Sequence, residues 1–242
     1  MKFHLDRIIQ LSKISWVFVA LMGLPAPALA IDFTGESAGE WGAPLTPNPT
    51  SIFSITSHDG GTNNRLTWGI PSPGNLTSYV QFDGENFITG TDSLFKIGEL
   101  SYRNGSTYVY SNFDGDFPLN LNLSLTLPFS NNETFNFLFD ILNRPNTTGD
   151  PVLDGDILRF ATDGVSDHKF NYQGTNYTLQ LIGFSTDEGQ TILNEFNSPE
   201  GSTTKASLYG TIVAANTVSV PEPVSVISFL ILGVCLAWWK LS

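Results

Sequence analysis

Three carboxylates crowd one short stretch, Asp150-Pro151-Val152-Leu153-Asp154-Gly155-Asp156. Hard oxygen donors at close spacing are what a calcium ion takes as ligands, so Asp150, Asp154 and Asp156 are the candidate metal ligands of this chain. Their spacing does not match an EF-hand loop, and the same residues also read as an exposed Asp-Gly turn. Asp114-Gly115-Asp116 is a poorer copy. Calcium is thus the one candidate ion, and no cofactor is required. Glycoside hydrolysis needs two carboxyl groups flanking the scissile bond. Glu85, Glu99, Glu133 and Glu195 are present, but nothing in the sequence selects a pair. A hydrolase triad needs Ser, His and an acid converging in space. Ser57-His58-Asp59 sets them side by side along the chain, the wrong arrangement for that, and His168 is the only other histidine between the two chain ends. No H-E-x-x-H occurs, and no catalytic residue is assigned. Sugar-binding faces stack rings on aromatic side chains. Trp41, Trp68, Tyr79, Tyr102, Tyr108 and Tyr110 are the candidates, with Trp68 reading as core and Trp41, in Gly39-Glu40-Trp41-Gly42, as exposed.

The elements that position these residues alternate with period two. Leu119, Leu121, Leu123, Leu125 and Leu127 are separated by Asn120, Asn122, Ser124 and Thr126, which predicts a strand with one dry and one wet face. Phe135, Phe137, Phe139 and Ile141 repeat the pattern, as do Tyr177, Leu179 and Leu181 after a Gln173-Gly174 turn. Further strands are expected over 65–69, 78–82, 95–102, 107–111, 157–161, 169–172 and 208–212, with Asn104-Gly105 as a hairpin turn. One helical turn is expected over 191–196. Many short strands with Gly, Asn and Asp turns predict an all-β antiparallel sandwich, jelly-roll-like.

The chain ends have a different composition. Lys2, Arg7 and Lys13 precede an apolar run over 14–24, broken by Pro25 and Pro27, and Ala28-Leu29-Ala30 supplies the small residues that signal peptidase accepts at Ala28 and Ala30. Pro221-Glu222-Pro223 precedes an apolar run over 224–239 with no polar face, which predicts a single C-terminal hydrophobic helix ending at Trp238, Trp239 and Lys240. The expected organisation is a signal peptide (1–30), an extracytoplasmic β-sandwich domain (31–219) and a sorting tail with a transmembrane helix (220–242). Of the 11 Lys/Arg, Lys2, Arg7, Lys13 and Lys240 lie in the ends, leaving seven; of the 23 Asp/Glu, Asp6 and Glu222 do, leaving 21, so the net charge of the middle is about −14. That excludes nucleic acid as a partner. The single cysteine, Cys235, falls in the tail, so the middle can hold no disulfide and no thiolate zinc site.

Pro221-Glu222-Pro223 and its apolar tail resemble the PEP-CTERM sorting signal of exported bacterial proteins. Gly61-Thr62-Asn63-Asn64-Arg65-Leu66-Thr67-Trp68-Gly69 resembles the opening of the choice-of-anchor K domain and its THxN relatives. Phe95-Lys96-Ile97-Gly98-Glu99-Leu100-Ser101-Tyr102 with Asn104, Asn143-Arg144-Pro145-Asn146, Gly149-Asp150-Pro151 and the stretch 177–184 extend the likeness in the same order. The tail ends in Lys240 alone, where the signal has an Arg-rich cluster. The resemblance implies export across the inner membrane, transient anchoring, and processing by an exosortase-type membrane enzyme after signal peptidase has acted. It further implies a cell-surface or extracellular-matrix location in which extracellular polysaccharide is a partner. The family's biochemical role is unestablished. The sequence reading is thus a non-enzymatic surface or matrix protein, with a carbohydrate-binding module, calcium-assisted or not, and a glycoside-active jelly-roll enzyme as alternatives. In a bacterium, the Asn-x-Ser/Thr sites at Asn75, Asn104, Asn122, Asn132, Asn146 and Asn176 reflect an Asn/Thr-rich surface.

Overall fold

Alternation along the chain becomes two faces of a sheet. In the computed structural model, which describes residues 31–113 and 115–215, thirteen strands form two antiparallel sheets packed face to face as a sandwich. The strands are β1 (Asp32–Trp41), β2 (Phe53–His58), β3 (Gly61–Trp68), β4 (Ser78–Gly84), β5 (Asn86–Gly90), β6 (Phe95–Arg103), β7 (Phe117–Leu127), β8 (Asn131–Leu142), β9 (Asp156–Phe160), β10 (Phe170–Tyr172), β11 (Thr175–Ser185), β12 (Glu195–Ser198) and β13 (Thr203–Ala214). One sheet runs β12-β9-β8-β7-β1-β5 and the other β10-β11-β13-β6-β4-β3-β2. The expected signal segment with Ala28 and Ala30, the Pro221-Glu222-Pro223 motif and the C-terminal apolar helix lie outside the described residues, as does Asp114. Among the described residues no helix is long and apolar enough to cross a membrane.

The dry faces interlock as the sequence pattern requires. Leu119, Leu121, Leu123 and Leu125 of β7 and Phe135, Phe137 and Phe139 of β8 are buried against Leu100, Tyr102, Leu179, Phe184 and Leu208 of the opposite sheet. Burial of this much apolar surface, at about 25 cal/mol per Å², is the main force holding the sheets together. Aromatic rings meet at the centre: Phe184 lies 5.1 Å from Phe196 and 6.3 Å from Phe139.

Three expectations are corrected. Residues 107–111 are not a strand: Thr107 makes one isolated bridge to Pro71, and Val109–Ser111 is a 3₁₀ turn. Asn104-Gly105 is therefore no hairpin; Asn104 is 1% exposed and its side chain bonds across to the other sheet. The expected helical turn over 191–196 gives way to β12, because 195–198 pair with β9 and send Phe196 into the core. The Gln173-Gly174 turn is present, with Tyr172 paired to Thr175 and both turn residues at positive φ. β1 is a strand that hydropathy does not register, since its inward positions include Gly35, Ser37 and Gly39. Gly39 is required there: a Cβ would stand 2.3 Å from the Phe82 ring.

Candidate functional site

At one end of the sandwich β6 leaves at Arg103, β8 leaves at Leu142, β9 begins at Asp156 and β12 ends at Ser198. A set of hydrogen bonds stitches these ends together. Ser198 Oγ donates to the Tyr102 carbonyl at 2.8 Å, and Asn104 Nδ2 donates to the Ser198 carbonyl at 3.1 Å. The Gly201 amide donates to the Asn104 carbonyl at 2.8 Å, and the Asn104 amide donates to the Ser202 carbonyl at 3.0 Å. An edge of one sheet is thus fixed to the centre of the other. Over this seam lies a groove of about 390 Å³, walled by Asn104, Gly105, Thr107, Val109 and Asn112 on one side and by Asn143, Arg144, Pro145, Asn146, Asp156 and Glu200 on the other.

Asp156 is the buried acid of the groove, 8% exposed. Its Oδ1 accepts from the Arg144 amide at 2.7 Å, and its Oδ2 lies 3.5 Å from the Tyr102 hydroxyl. Burial, reinforced by the charge of Glu200, raises its pKa to about 6, although the Arg144 amide pulls the other way. Burial and the adjacent Asp156 push the Tyr102 phenol well above its ordinary value. Glu200 is half-buried, and its Oε1 is shielded from water with no hydrogen-bond partner among the described residues. Arg144 is half-exposed and its charge acts on Asp156, while the side chains of Asn143 and Asn146 are exposed to water. Glu200 Oε1 is thus the one groove side-chain atom among the described residues that is shielded and without a partner, a cost that a bound ligand would recover.

The three candidate calcium ligands do not converge. Both oxygens of Asp154 turn into their own loop, accepting from the Thr148 amide at 3.0 Å and the Gly149 amide at 2.9 Å. Burial opposes ionisation of Asp154, yet these bonds win and hold its pKa below the usual carboxylate range. Asp150 Oδ1 accepts from the Val152 amide at 2.9 Å, closing a turn, while Asp156 faces the groove. Among the described residues no group of three or more His, Cys, Asp or Glu is placed to hold a metal ion.

The stretches 61–68 and 95–102 lie on the two strands that flank β4. Residues 61–68 are β3 and residues 95–103 are β6, and both pair with β4. Leu66, Trp68, Ile97, Leu100 and Tyr102 point into the core. The outward residues form a closed polar network around Gln81, which is 2% exposed. Gln81 Oε1 accepts from Arg65 Nε at 2.8 Å and from Arg65 Nη2, and its Nε2 donates to Asp59 at 3.0 Å and Asp83 at 2.7 Å. Tyr79 is clamped between Arg65 and Arg103, 4.3 Å and 4.5 Å from its ring centroid. Asn64 accepts from the His58 amide at 2.8 Å and donates to the Phe82 carbonyl at 3.1 Å, which fixes the β2–β3 hairpin.

The remaining candidates are scattered. Glu85 pairs with Lys96 at 2.9 Å, Glu99 pairs with Lys205, Glu133 accepts from Asn131 and lies 2.6 Å from His168, and Glu195 is exposed on β12. His58 sits 2.7 Å from Asp59, while Ser57 is occupied as an acceptor for the Asn63 amide. Gly35-Glu36-Ser37-Ala38-Gly39 matches G-x-S-x-G, but it runs inside β1 rather than on a strand-to-helix elbow. Ser37 is buried there, and its hydroxyl bonds to the Ile97 carbonyl and the Glu85 amide. Trp41 is not exposed as expected: it is 3% exposed, with its ring 5.4 Å from both Phe117 and Phe139. Of the aromatic candidates, Tyr108 and Tyr110 stand exposed, stacked on each other at 5.6 Å on either side of Val109.

The groove acids Asp156 and Glu200 were not legible as a pair. They are 44 residues apart by their numbers and meet only because β12 pairs with β9. No family model matches the chain, and no curated protein matches it either.

Proposed function

We propose that this chain is an exported bacterial surface or extracellular-matrix protein whose sandwich is a binding module rather than an enzyme. The observation that carries the binding half is the end groove, where the shielded Glu200 Oε1 has no hydrogen-bond partner among the described residues and faces a wall that includes Arg144, Asn143 and Asn146. The export half rests on the sequence alone: the signal segment before residue 31, cut after Ala28-Leu29-Ala30, and the Pro221-Glu222-Pro223 tail. In this reading signal peptidase and an exosortase-type enzyme act in turn, the tail anchors the chain transiently, and residues 31–219 work outside the cell. The likeness to the choice-of-anchor K domain fits this account. A jelly-roll-like description of the sandwich is supported by its crossovers, since β1 sits between β7 and β5, and β13 between β11 and β6.

Fractionation of cells carrying the full chain tests export. Glu222→Ala, or deletion of 224–242, is expected to shift the protein between membrane and medium; an unchanged pattern would sink the sorting reading. A second reading, glycoside hydrolysis, draws on Asp156 and Glu200 sharing one groove. It is the weaker because Asp156 is held by the Arg144 amide and the Tyr102 hydroxyl. Release of reducing sugar by the wild type, lost in Glu200→Gln, would favour it.

A further inference from the structure

We infer that the end groove takes a neutral polyhydroxylated glycan, held between the Arg144 guanidinium and the Glu200 carboxylate. This rests on the binding reading above and names its ligand class. The groove offers groups of both kinds: solvent-accessible N–H donors on Arg144, Asn143 and Asn146, and a shielded, unpartnered acceptor at Glu200 Oε1. Vicinal hydroxyls donate and accept at once, so a sugar ring satisfies both sets together. An anionic sugar gains Arg144 but faces Glu200, Asp156 and a domain of about −14 net charge. A cation gains two carboxylates but faces Arg144. Only a neutral ligand leaves no group opposed. The groove is of a size for small-ligand recognition, at about 390 Å³. Next to it, Val109 is a wall residue between the exposed, stacked Tyr108 and Tyr110. Sugars commonly lie against aromatic faces through their C–H edges, so these rings can extend the site outward.

Other depressions carry less. One of about 470 Å³ along β1 and β5 is lined by Phe87 and Ile88 with Thr34, Glu36, Asn86, Ser124 and Thr126, and its polar side chains are all open to water with no cation among them. The network around Gln81 has already used its donors and acceptors.

The test is calorimetric titration of the full chain in detergent with neutral hexasaccharides (β-glucan, mannan and galactan series) and with a hexagalacturonate. The expected result is saturable binding of at least one neutral series, weakened about tenfold or more by Arg144→Gln and by Glu200→Gln, each removing one charged hydrogen bond. Both side chains are half-exposed, and a melting temperature within a few degrees of wild type shows that the variants fold. Binding of the galacturonate alone would overturn the ligand class and leave the binding reading standing. Neutral binding that neither variant weakens would overturn the site. Failure of every oligosaccharide would overturn both.

Discussion

Two polar regions of this sandwich differ in one respect that decides what each can do. Around Gln81 the buried amide is fully used: Arg65 and Arg103 clamp Tyr79, and Gln81 binds Arg65, Asp59 and Asp83 at once. In the end groove Glu200 Oε1 is shielded without a partner among the described residues, and the Arg144, Asn143 and Asn146 side chains around it are open to solvent. The residues of the first region hold β3, β4 and β6 together. A satisfied network stabilises a sheet face, whereas an unsatisfied one is where a ligand has something to gain.

The contrast breaks most visibly at Gln81. Gln81→Leu removes the buried amide that Arg65 and Asp83 bond, and is expected to cost roughly 3 kcal/mol in urea unfolding at unchanged m-value while leaving groove binding intact. Loss of ligand binding in a folded Gln81→Leu protein would erase the distinction. Asp156 gives the next effect, on pH. Its folded pKa of about 6 lies above that of an unfolded carboxylate, because of burial and then Glu200, with Arg144 and Tyr102 opposing. The folded state therefore keeps a proton that the unfolded chain gives up, and stability falls as pH rises from about 4 through 6. Asp156→Asn should remove that slope, gaining on the order of 2 kcal/mol over wild type at pH 7.5 relative to pH 4. Parallel pH profiles for the two proteins would show that Asp156 is not under strain. Lys205→Gln, at the exposed rim of the Gln81 face, should change stability by about 0.5 kcal/mol or less. Millimolar calcium should move the melting temperature least, since the amides of Thr148 and Gly149 already occupy Asp154. A rise of several degrees would bring the ion back to the 150–156 loop.

What could be read from the sequence follows the same division. β7 and β8 were plain because leucine and phenylalanine mark their dry faces. β1 was hidden because glycine and serine fill the same role beside Phe82, and hydropathy cannot see a position kept small by a ring. β2 left a usable sign: Asp59-Gly60 is a two-residue turn with both residues at positive φ, joining His58 to Gly61. Acid spacing along 150–156 suggested a shared ion, but backbone amides within the loop claimed Asp154, and the strand start carried Asp156 away to the groove. Its real neighbour, Glu200, enters from the β12–β13 turn, and no local pattern announces a contact that depends on strand pairing. Trp41 misled for a related reason: its glycine neighbours suggested a surface loop, while the strand phase turned the ring inward.

The most direct measurement is amide chemical-shift mapping of the full chain in detergent during titration with a neutral oligosaccharide. The account predicts that shifts cluster at 104–112, 143–146, 156 and 200–201, with 61–65 and 79–83 unmoved. Shifts centred on the Gln81 face, with the groove silent, would contradict it.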